Sequence, residues 1–423
     1  MITQIIKCLK QINEVSDWLI TIASNKTYEA FYVLEQLETT RATNTTDYEV
    51  TVYRQIEVDN NKYLGSSTIT IPHKMSDEDL IELLNDAVYS AGLATNKPFE
   101  IVKGERSRTW SETLLTDNPL EAIDKIASIY FNLSSTNRKF NSLELIYKIQ
   151  DIRLINSQGV DYTKTLNSVE IEAVPTYDGH KQKVEIYKYF RYKKIDHEQI
   201  KTDALDALND VESRYNAQLL DEKKQIDIIL RDDNVLELVR ELISTSSYAS
   251  IYKDSALYKV NDFIQHDPVG DRLTITLMPL SESDGFDKDG VMLKPVKIVE
   301  QGQLIQYFGS NQYAYYLGVK PTGSLRFTKV EPGEKSVVEM KKNPYIEILS
   351  LSGLQVEIYN GYVGGEVRLA NYFDGEKIIP ISGFSFSGNL NTILSDIELS
   401  KEKHESTFYE GPKYIKLKNL EVL

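Results

Sequence analysis

The residues of this chain that are chemically suited to catalysis or metal binding are few and widely spaced. It has five histidines, and no pair has the helical spacing that lets two imidazoles converge on one ion. His197 precedes Glu198, as at the start of a zinc helix, but Gln199 to Thr202 follow without a second histidine. We therefore expect surface or supporting positions for all five: His73, His180, His197, His266 and His404.

Other nucleophile and phosphate motifs are missing from the sequence. The one cysteine, Cys8, lies on an amphipathic N-terminal segment without a nearby histidine, which indicates a core thiol and excludes an internal disulfide. There is no G-x-S-x-G, Walker A or G-x-G-x-x-G motif. Gly361 to Gly365 lies between strand patterns and predicts a turn or bulge. We expect no catalytic residue, no metal and no cofactor.

Charge and hydropathy exclude two classes of partner. Lys and Arg total 48 against 63 Asp and Glu, so the net charge of -15 repels phosphate, and we expect no nucleic-acid partner. The N-terminal residues mix polar and charged side chains with apolar ones, and no run approaches the roughly 18 apolar residues of a membrane span. We therefore expect no membrane partner, no targeting signal and a cytoplasmic location.

The segment that carries most positional information is 285–323, GFDKDGVMLKPVKIVEQGQLIQYFGSNQYAYYLGVKPTG. It contains an acidic turn with Phe286, Asp287 and Gly290, a G-x-L-x-x-Y run from Gly302, and an A-x-x-L-G helix end from Ala314. Further on, residues 381–389 read I-x-G-x-x-x-x-G-N. These elements resemble the C-terminal domain of the TldD/PmbA family, also called modulator of DNA gyrase, over roughly residues 215 to 423.

The resemblance distinguishes two kinds of subunit. In the TldD kind, a His-Glu-x-x-x-His helix and a cysteine in a C-terminal loop make a zinc-type metallopeptidase. Here the matching helix, 235–250, reads VLELVRELISTSSYAS without a histidine, and the matching loop, 400–414, contains no cysteine. The chain therefore resembles the other kind, PmbA or TldE, which accompanies the catalytic subunit.

The resemblance also implies a peptide cleft in the C-terminal domain. Pairing of a peptide backbone with an exposed strand, flanked by aromatic side chains, accommodates many sequences. Arg326 offers a charge to a peptide carboxylate, although the family tends to have a second Arg where this chain has Phe327. The peptide-binding candidates are Tyr307, Tyr313, Tyr316, Thr322, Gly323 and Arg326.

Two domains are expected to position these residues. In the first half, alternating apolar residues predict strands, a turn at 59–62 predicts a hairpin, and Ser76 and Asn118 are predicted helix caps. A helix is expected from 196 to 220 and another from 234 to 243, followed by short strands, with 401–405 as a solvated loop. The predicted fold class is α+β: an N-terminal antiparallel sheet with helices (1–214) and a C-terminal β-rich, barrel-like domain (215–423).

These observations lead to one expected function and two alternatives. We expect a metal-free PmbA/TldE-like subunit of a TldD-type metallopeptidase system, which assists the binding and proteolytic processing of extended peptides. Its partners are then a TldD-like metallopeptidase subunit and the peptide, in a homo- or heterodimer. The alternatives are a self-contained peptidase of the same fold with an unrecognised site, and a non-catalytic homodimeric peptide-binding protein.

Overall fold

The computed structural model describes residues 1–220 and 223–423, and the first half is built on one large sheet. Its strands are β1 (Asp17–Val33), β2 (Gln36–Val58), β3 (Asn61–Ile71), β4 (Arg108–Ser111), β5 (Arg138–Asn156), β6 (Asp161–Asp178), β7 (Lys183–Glu185) and β8 (Lys188–Tyr192). Its helices are α1 (Ile2–Leu9), α2 (Asp77–Ala91), α3 (Pro119–Asn132) and α4 (His197–Asn216). The strand order is β3-β2-β1-β5-β6-β4, and the sheet curves into a half-barrel that is antiparallel apart from β4.

Local sequence signals account for the turns and helix starts of this half. Asp59 and Asn60 adopt positive φ between β2 and β3, as the tight hairpin requires. The Ser76 side chain accepts a hydrogen bond from Asp79 N and caps α2, while Asn118 caps α3 with Pro119 at its first turn.

Two groups of helices cover separate regions of the sheet. The helices α1 and α2 pack with β1, β2 and β3 in a core that includes Cys8, Ile20 and Leu84. The helices α3 and α4 pack with β5 and β6 in another core, around Tyr147 and Leu208. The buried Cys8 confirms the prediction of a core thiol.

The second half consists mainly of short strands. They are β9 (Gln218–Leu219), β10 (Lys224–Arg231), β11 (Ile275–Met278), β12 (Val296–Glu300), β13 (Gln303–Leu304), β14 (Phe327–Val330), β15 (Tyr345–Glu357), β16 (Tyr362–Phe373), β17 (Ile378–Ser382), β18 (Phe384–Asn389), β19 (Glu398–Leu399), β20 (Lys403–Glu405), β21 (Tyr409–Pro412) and β22 (Tyr414–Val422). The helices are α5 (Asp233–Ile243), α6 (Tyr248–Tyr252), α7 (Asn311–Leu317), α8 (Val337–Met340) and α9 (Leu390–Ser395).

These strands form a closed barrel and a smaller sheet around one core. The barrel order is β15-β10-β22-β18-β16, and pairing of β15 with β16 closes it. The second sheet has the order β13-β12-β11-β14-β21-β20. The helix α5 buries Val235, Leu238, Val239 and Leu242 in the core that both sheets share. The α+β fold class with a barrel-like second half is therefore confirmed.

Three details of the sequence prediction were wrong. The helix expected to reach residue 220 ends at Asn216, and β9 follows it by pairing with β17. Residues 403–405 are not a solvated loop but the strand β20, because β21 supplies backbone partners that the charged sequence does not reveal. The short helices α6, α8 and α9 were not predicted, since single turns carry little periodic signal.

The strands divide between the two halves of the chain. All strands of the first sheet precede residue 193, and the described strands of the other two sheets follow residue 217. A domain boundary at 214/215 remains a prediction. None of the helices within the described ranges combines the length and apolar character needed to cross a bilayer.

Candidate functional site

Tyr307, the first of the predicted peptide-binding residues, holds a neighbouring loop. Its half-buried hydroxyl donates to the Tyr258 carbonyl at 3.3 Å and accepts from Val260 N at 3.1 Å. Both partners belong to the segment after α6, so the Tyr307 hydroxyl is engaged within the C-terminal half.

Tyr313 and Tyr316 lie on one face of α7 and form an aromatic cluster with Tyr252. The ring centroid of Tyr252 is 5.8 Å from that of Tyr313 and 4.9 Å from that of Tyr316. Tyr316 also packs edge-to-face on Phe99 and donates its hydroxyl hydrogen to the Lys97 carbonyl. Tyr316 therefore joins α7 to the N-terminal half.

Thr322 and Gly323 form a turn that the backbone conformation explains. Thr322 Oγ1 accepts from Gly309 N at 2.8 Å, and Gly323 N donates to Gly309 O at 3.0 Å. Gly323 has φ +79°, and an added Cβ would lie 2.5 Å from Leu293 Cδ2. The turn thus requires glycine for both conformation and space.

The acidic turn beside it is organised by Asp287. This buried carboxylate accepts hydrogen bonds from the backbone N–H groups of Asp289, Val291 and Ser324 at 2.9, 2.9 and 3.0 Å. Gly290 completes the turn with φ +88°. Burial raises the pKa of Asp287, and burial together with the charge of Asp287 raises the pKa of Asp289 to about 6.

The turn inserts Phe286 into the N-terminal half. The Phe286 ring lies 5.7 Å, centroid to centroid, from both Trp110 and Tyr162. An added Cβ on the preceding Gly285 would lie 2.2 Å from the Trp110 ring, so this close approach requires glycine. These contacts fix the turn against β4 and β6.

Lys164 and Asp284 form a buried ion pair next to Phe286. Lys164 Nζ lies 2.6 Å from Asp284 Oδ1 and donates to the Phe286 carbonyl at 2.6 Å. Asp284 Oδ2 accepts from Leu280 N at 3.2 Å and lies 3.6 Å from Arg326 Nη2. Arg326, the last of the predicted peptide-binding residues, therefore lies beside the buried carboxylate of Asp284.

A pocket of about 310 Å³ opens between the N-terminal sheet and this part of the C-terminal half, and we call it the junction pocket. Its lining includes Ile152, Leu154, Lys164, Phe286, Leu293 and Arg326. Lys288 and Glu49 also line it, and both are exposed. It thus combines an apolar interior with charges of both signs.

The two segments that correspond to the metal site of the TldD kind also meet, but their residues do not fit a metal. The guanidinium of Arg240, on α5, lies 5.6 Å from the ring centroid of Phe408 in the 400–414 segment. His404 on β20 has Nδ1 3.7 Å from Asp232 and Nε2 3.8 Å from Asp233. Because these carboxylates contact opposite ring nitrogens, they do not converge with His404 on one ion. Within residues 1–220 and 223–423, no three His, Cys, Asp or Glu side chains are grouped to hold a metal.

The electrostatics at this junction favour protonated His404. Burial lowers the pKa of His404, but the interaction with Asp233 and the negative charge of Asp232 outweigh burial and raise it overall. The raised pKa favours an ion pair between the imidazole and these two carboxylates over the neutral imidazole that a metal ligand requires.

The structure separates the predicted residues into distinct places. Arg326 lines the junction pocket, and Gly323 adjoins its lining residue Leu293, whereas Thr322, Tyr307, Tyr313 and Tyr316 are not among its lining residues. Sequence reasoning missed the lining residue Lys164. Its spacing of two residues from buried Tyr162 signals the inward face of a strand, but nothing local identifies Asp284 as its partner.

Comparisons with known proteins agree with this architecture. Residues 223–422 match the model described as the PmbA/TldA metallopeptidase C-terminal domain. A curated protein called zinc metalloprotease TldD homolog, from Saccharolobus solfataricus, is 28% identical over 236 residues. That match covers 46% of this chain and 51% of the relative, so the chain spans about half the length of the curated relative it matches.

Solved structures resemble the chain over its full length. TldE from Thermococcus kodakarensis superposes with a TM-score of 0.76 at 15% identity, covering 100% of this chain and 99% of that one. A putative modulator of a DNA gyrase from Thermotoga maritima gives 0.77 at 14% identity, with 100% of both chains covered. At these identities the likeness shows the fold. The C-terminal half of the chain, residues 223–422, therefore belongs to the TldD/PmbA family, and the whole chain has the fold of these solved structures.

Proposed function

We propose that this chain is a metal-free, PmbA/TldE-like subunit that works with a TldD-like metallopeptidase in the cytoplasm and helps to hold extended peptides for cleavage. The observation that carries this proposal is the contact between α5 and the 400–414 segment. Where the TldD kind has metal ligands, this chain packs Arg240 against Phe408 and pairs His404 with acids on both sides.

The chemistry of that contact supports a non-catalytic role for this half. The guanidinium of Arg240 between these two segments would repel a divalent cation, and a single imidazole between two carboxylates cannot supply a tetrahedral ligand set. The metal chemistry of the system would therefore come from the partner subunit, and this chain would contribute peptide contacts.

The junction pocket supports peptide handling. It joins apolar surface from both halves to a half-exposed arginine, a combination typical of sites that orient a ligand through a few polar groups. Tyr313, half-buried on α7, remains a candidate for an aromatic wall. Pairing with the partner would form the dimer that the family resemblance implies.

A reconstitution experiment tests the proposal. This chain is coexpressed with a family member that carries the intact His-Glu-x-x-x-His motif, and cleavage of an unfolded peptide is followed by mass spectrometry for each chain alone and for the pair. We expect copurification and at least about tenfold faster cleavage by the pair, with activity lost when the partner's motif histidines are replaced.

Two outcomes would contradict the proposal. Cleavage by this chain alone, retained after metal chelation, would favour a self-contained peptidase. A stable homodimer that binds peptide but neither binds nor stimulates the partner would favour a separate binding protein.

A further inference from the structure

We propose that the junction pocket is a subsite for an apolar side chain whose own residue carries a free α-carboxylate, that is, the C-terminal residue of a peptide or a free apolar amino acid. This inference deepens the proposed function and rests on its peptide-handling role. The carboxylate would bind at Arg326 and Lys288, and the side chain would enter between the N-terminal sheet and the Phe286 turn.

The size and lining of the pocket suit one residue. Its volume of about 310 Å³ lies at the small end of the range of roughly 300 to 1,000 Å³ for ligand pockets. Ile152 and Leu154 of β5 form one apolar wall, and Phe286 and Leu293 form the other. Burying a leucine or phenylalanine side chain between these walls would stabilise the bound ligand.

The cations that line the pocket have hydrogen-bonding capacity to spare. The Arg326 side chain is 54% exposed, lies 3.6 Å from Asp284, and donates no hydrogen bond to any residue in the described ranges. Lys288 is exposed and likewise donates none to a described residue through its side chain. A guanidinium presents paired N–H groups that match the two oxygens of a carboxylate, so an α-carboxylate is the complementary ligand.

Of the acids that line the pocket, only Glu49 is exposed. Asp284 is paired with Lys164, and Asp287 accepts three backbone N–H groups, so both buried carboxylates already have partners. Over the whole lining, the cations Lys164, Lys288 and Arg326 equal the acids Glu49, Asp284 and Asp287 in number, and the exposed groups are Arg326 and Lys288 against Glu49. Glu49 would accept the N–H of the same ligand residue, either a peptide amide or a free ammonium.

The binding test uses the intact chain alone and three probes. They are an acetylated hexapeptide ending in leucine as the free acid, the same peptide as its C-terminal amide, and free leucine. Affinity is measured by calorimetry and by fluorescence of Trp110, whose ring packs on Phe286. We expect the free acid to bind at least about tenfold more tightly than the amide. If free leucine binds as tightly as the free-acid peptide, the pocket is a site for free amino acids. If free leucine binds more weakly than that peptide, the pocket is a site for peptide C-termini. Both results support the proposal.

Matched variants locate the site. Arg326→Gln is expected to weaken binding of the free acid at least about tenfold and to leave binding of the amide unchanged, whereas Lys294→Gln, an exposed lysine outside the pocket, leaves both unchanged. Circular dichroism checks that each variant is folded. Equal affinity for acid and amide, an unchanged Arg326→Gln variant, or no binding of any probe at millimolar concentration would overturn the proposal. This binding assay contains no partner subunit. A negative binding result would therefore leave the reconstitution result valid, and a failed reconstitution would leave the binding result valid.

Discussion

Lys164 Nζ and Asp284 Oδ1 lie 2.6 Å apart across the junction of the two halves, with side-chain exposures of 6% and 1%. The ammonium also donates to the Phe286 carbonyl and lies 4.4 Å from the Phe286 ring centroid. This ion pair therefore holds the Phe286 turn, and with it one wall of the junction pocket, against β6.

The first prediction concerns this pair. Lys164→Met or Asp284→Asn leaves an uncompensated buried group, so each should lower the free energy of unfolding by about 3 to 5 kcal/mol. The double variant Lys164→Met/Asp284→Asn removes both charges and should cost clearly less than the sum of the singles. Urea denaturation followed by circular dichroism measures all three.

Lys103→Met provides the control for this prediction. Lys103 pairs with Glu100 on the surface, with side-chain exposures of 66% and 58%, and because exposed ion pairs contribute little, its loss should leave stability nearly unchanged. A double variant that loses as much as the two singles combined would show that the pair is not coupled.

The features that were predictable from sequence are those that local chemistry determines. The cap at Ser76, the hairpin at Asp59 and Asn60, and the left-handed Gly318 that ends α7 each depend on residues within a few positions. Alternation of apolar residues likewise predicted the strands of the first half and the β-rich character of the second.

The features that were not predictable depend on distant partners. Lys164 and Asp284 are 120 residues apart, and β20 exists because β21 pairs with it and with β14. The spacing of Tyr313 and Tyr316 places them on one helix face, but the segment at Lys97 that meets Tyr316 is about half the chain away. Periodicity identifies a face without identifying what covers it.

A second prediction tests the domain boundary. Limited proteolysis should first cut between the end of α4 at Asn216 and the start of β10 at Lys224, giving fragments of about half the mass each. Of this range, residues 221 and 222 lie outside the described residues. Because Lys164 and Asp284 join the halves, the fragments should elute together in gel filtration and separate only in denaturant. First cuts within residues 60–150 would place the boundary elsewhere.

A third prediction separates packing from binding among the tyrosines. Tyr316→Ala removes the hydroxyl contact with Lys97 and the ring contacts with Phe99 and Tyr252, and should lower stability by about 1 to 3 kcal/mol. Tyr313→Ala should weaken peptide binding about tenfold, seen in KM of the reconstituted enzyme more than in kcat. Tyr315→Ala, at an exposed position, should affect neither. If Tyr313→Ala instead melts well below the parent with unchanged peptide affinity, Tyr313 has a packing role.

A fourth prediction concerns metal content. Elemental analysis of the purified chain after mild dialysis should find zinc far below one per chain, because Asp232 and Asp233 contact opposite nitrogens of His404. Zinc near one per chain would contradict this, and loss of that zinc in a His404→Gln variant would then locate it.

The last prediction follows from Asp289, whose pKa is raised from 3.8 to about 6 by burial and by the charge of Asp287. The folded chain therefore binds the proton of this carboxyl more tightly than the unfolded chain does. The ionised Asp289 carboxylate therefore lowers the free energy of unfolding. This effect is absent below about pH 4, grows as pH rises to about 6, and is constant above that. Asp289→Asn removes the charge and keeps an acceptor oxygen, so stability at pH 7 should rise by up to about 3 kcal/mol and be nearly unchanged at pH 4. The measurement is the difference in unfolding free energy between variant and parent from pH 4 to pH 8, with Glu282→Gln, an exposed carboxylate, as the control. A difference that does not change with pH would mean that Asp289 ionises in the folded chain as it does in the unfolded one.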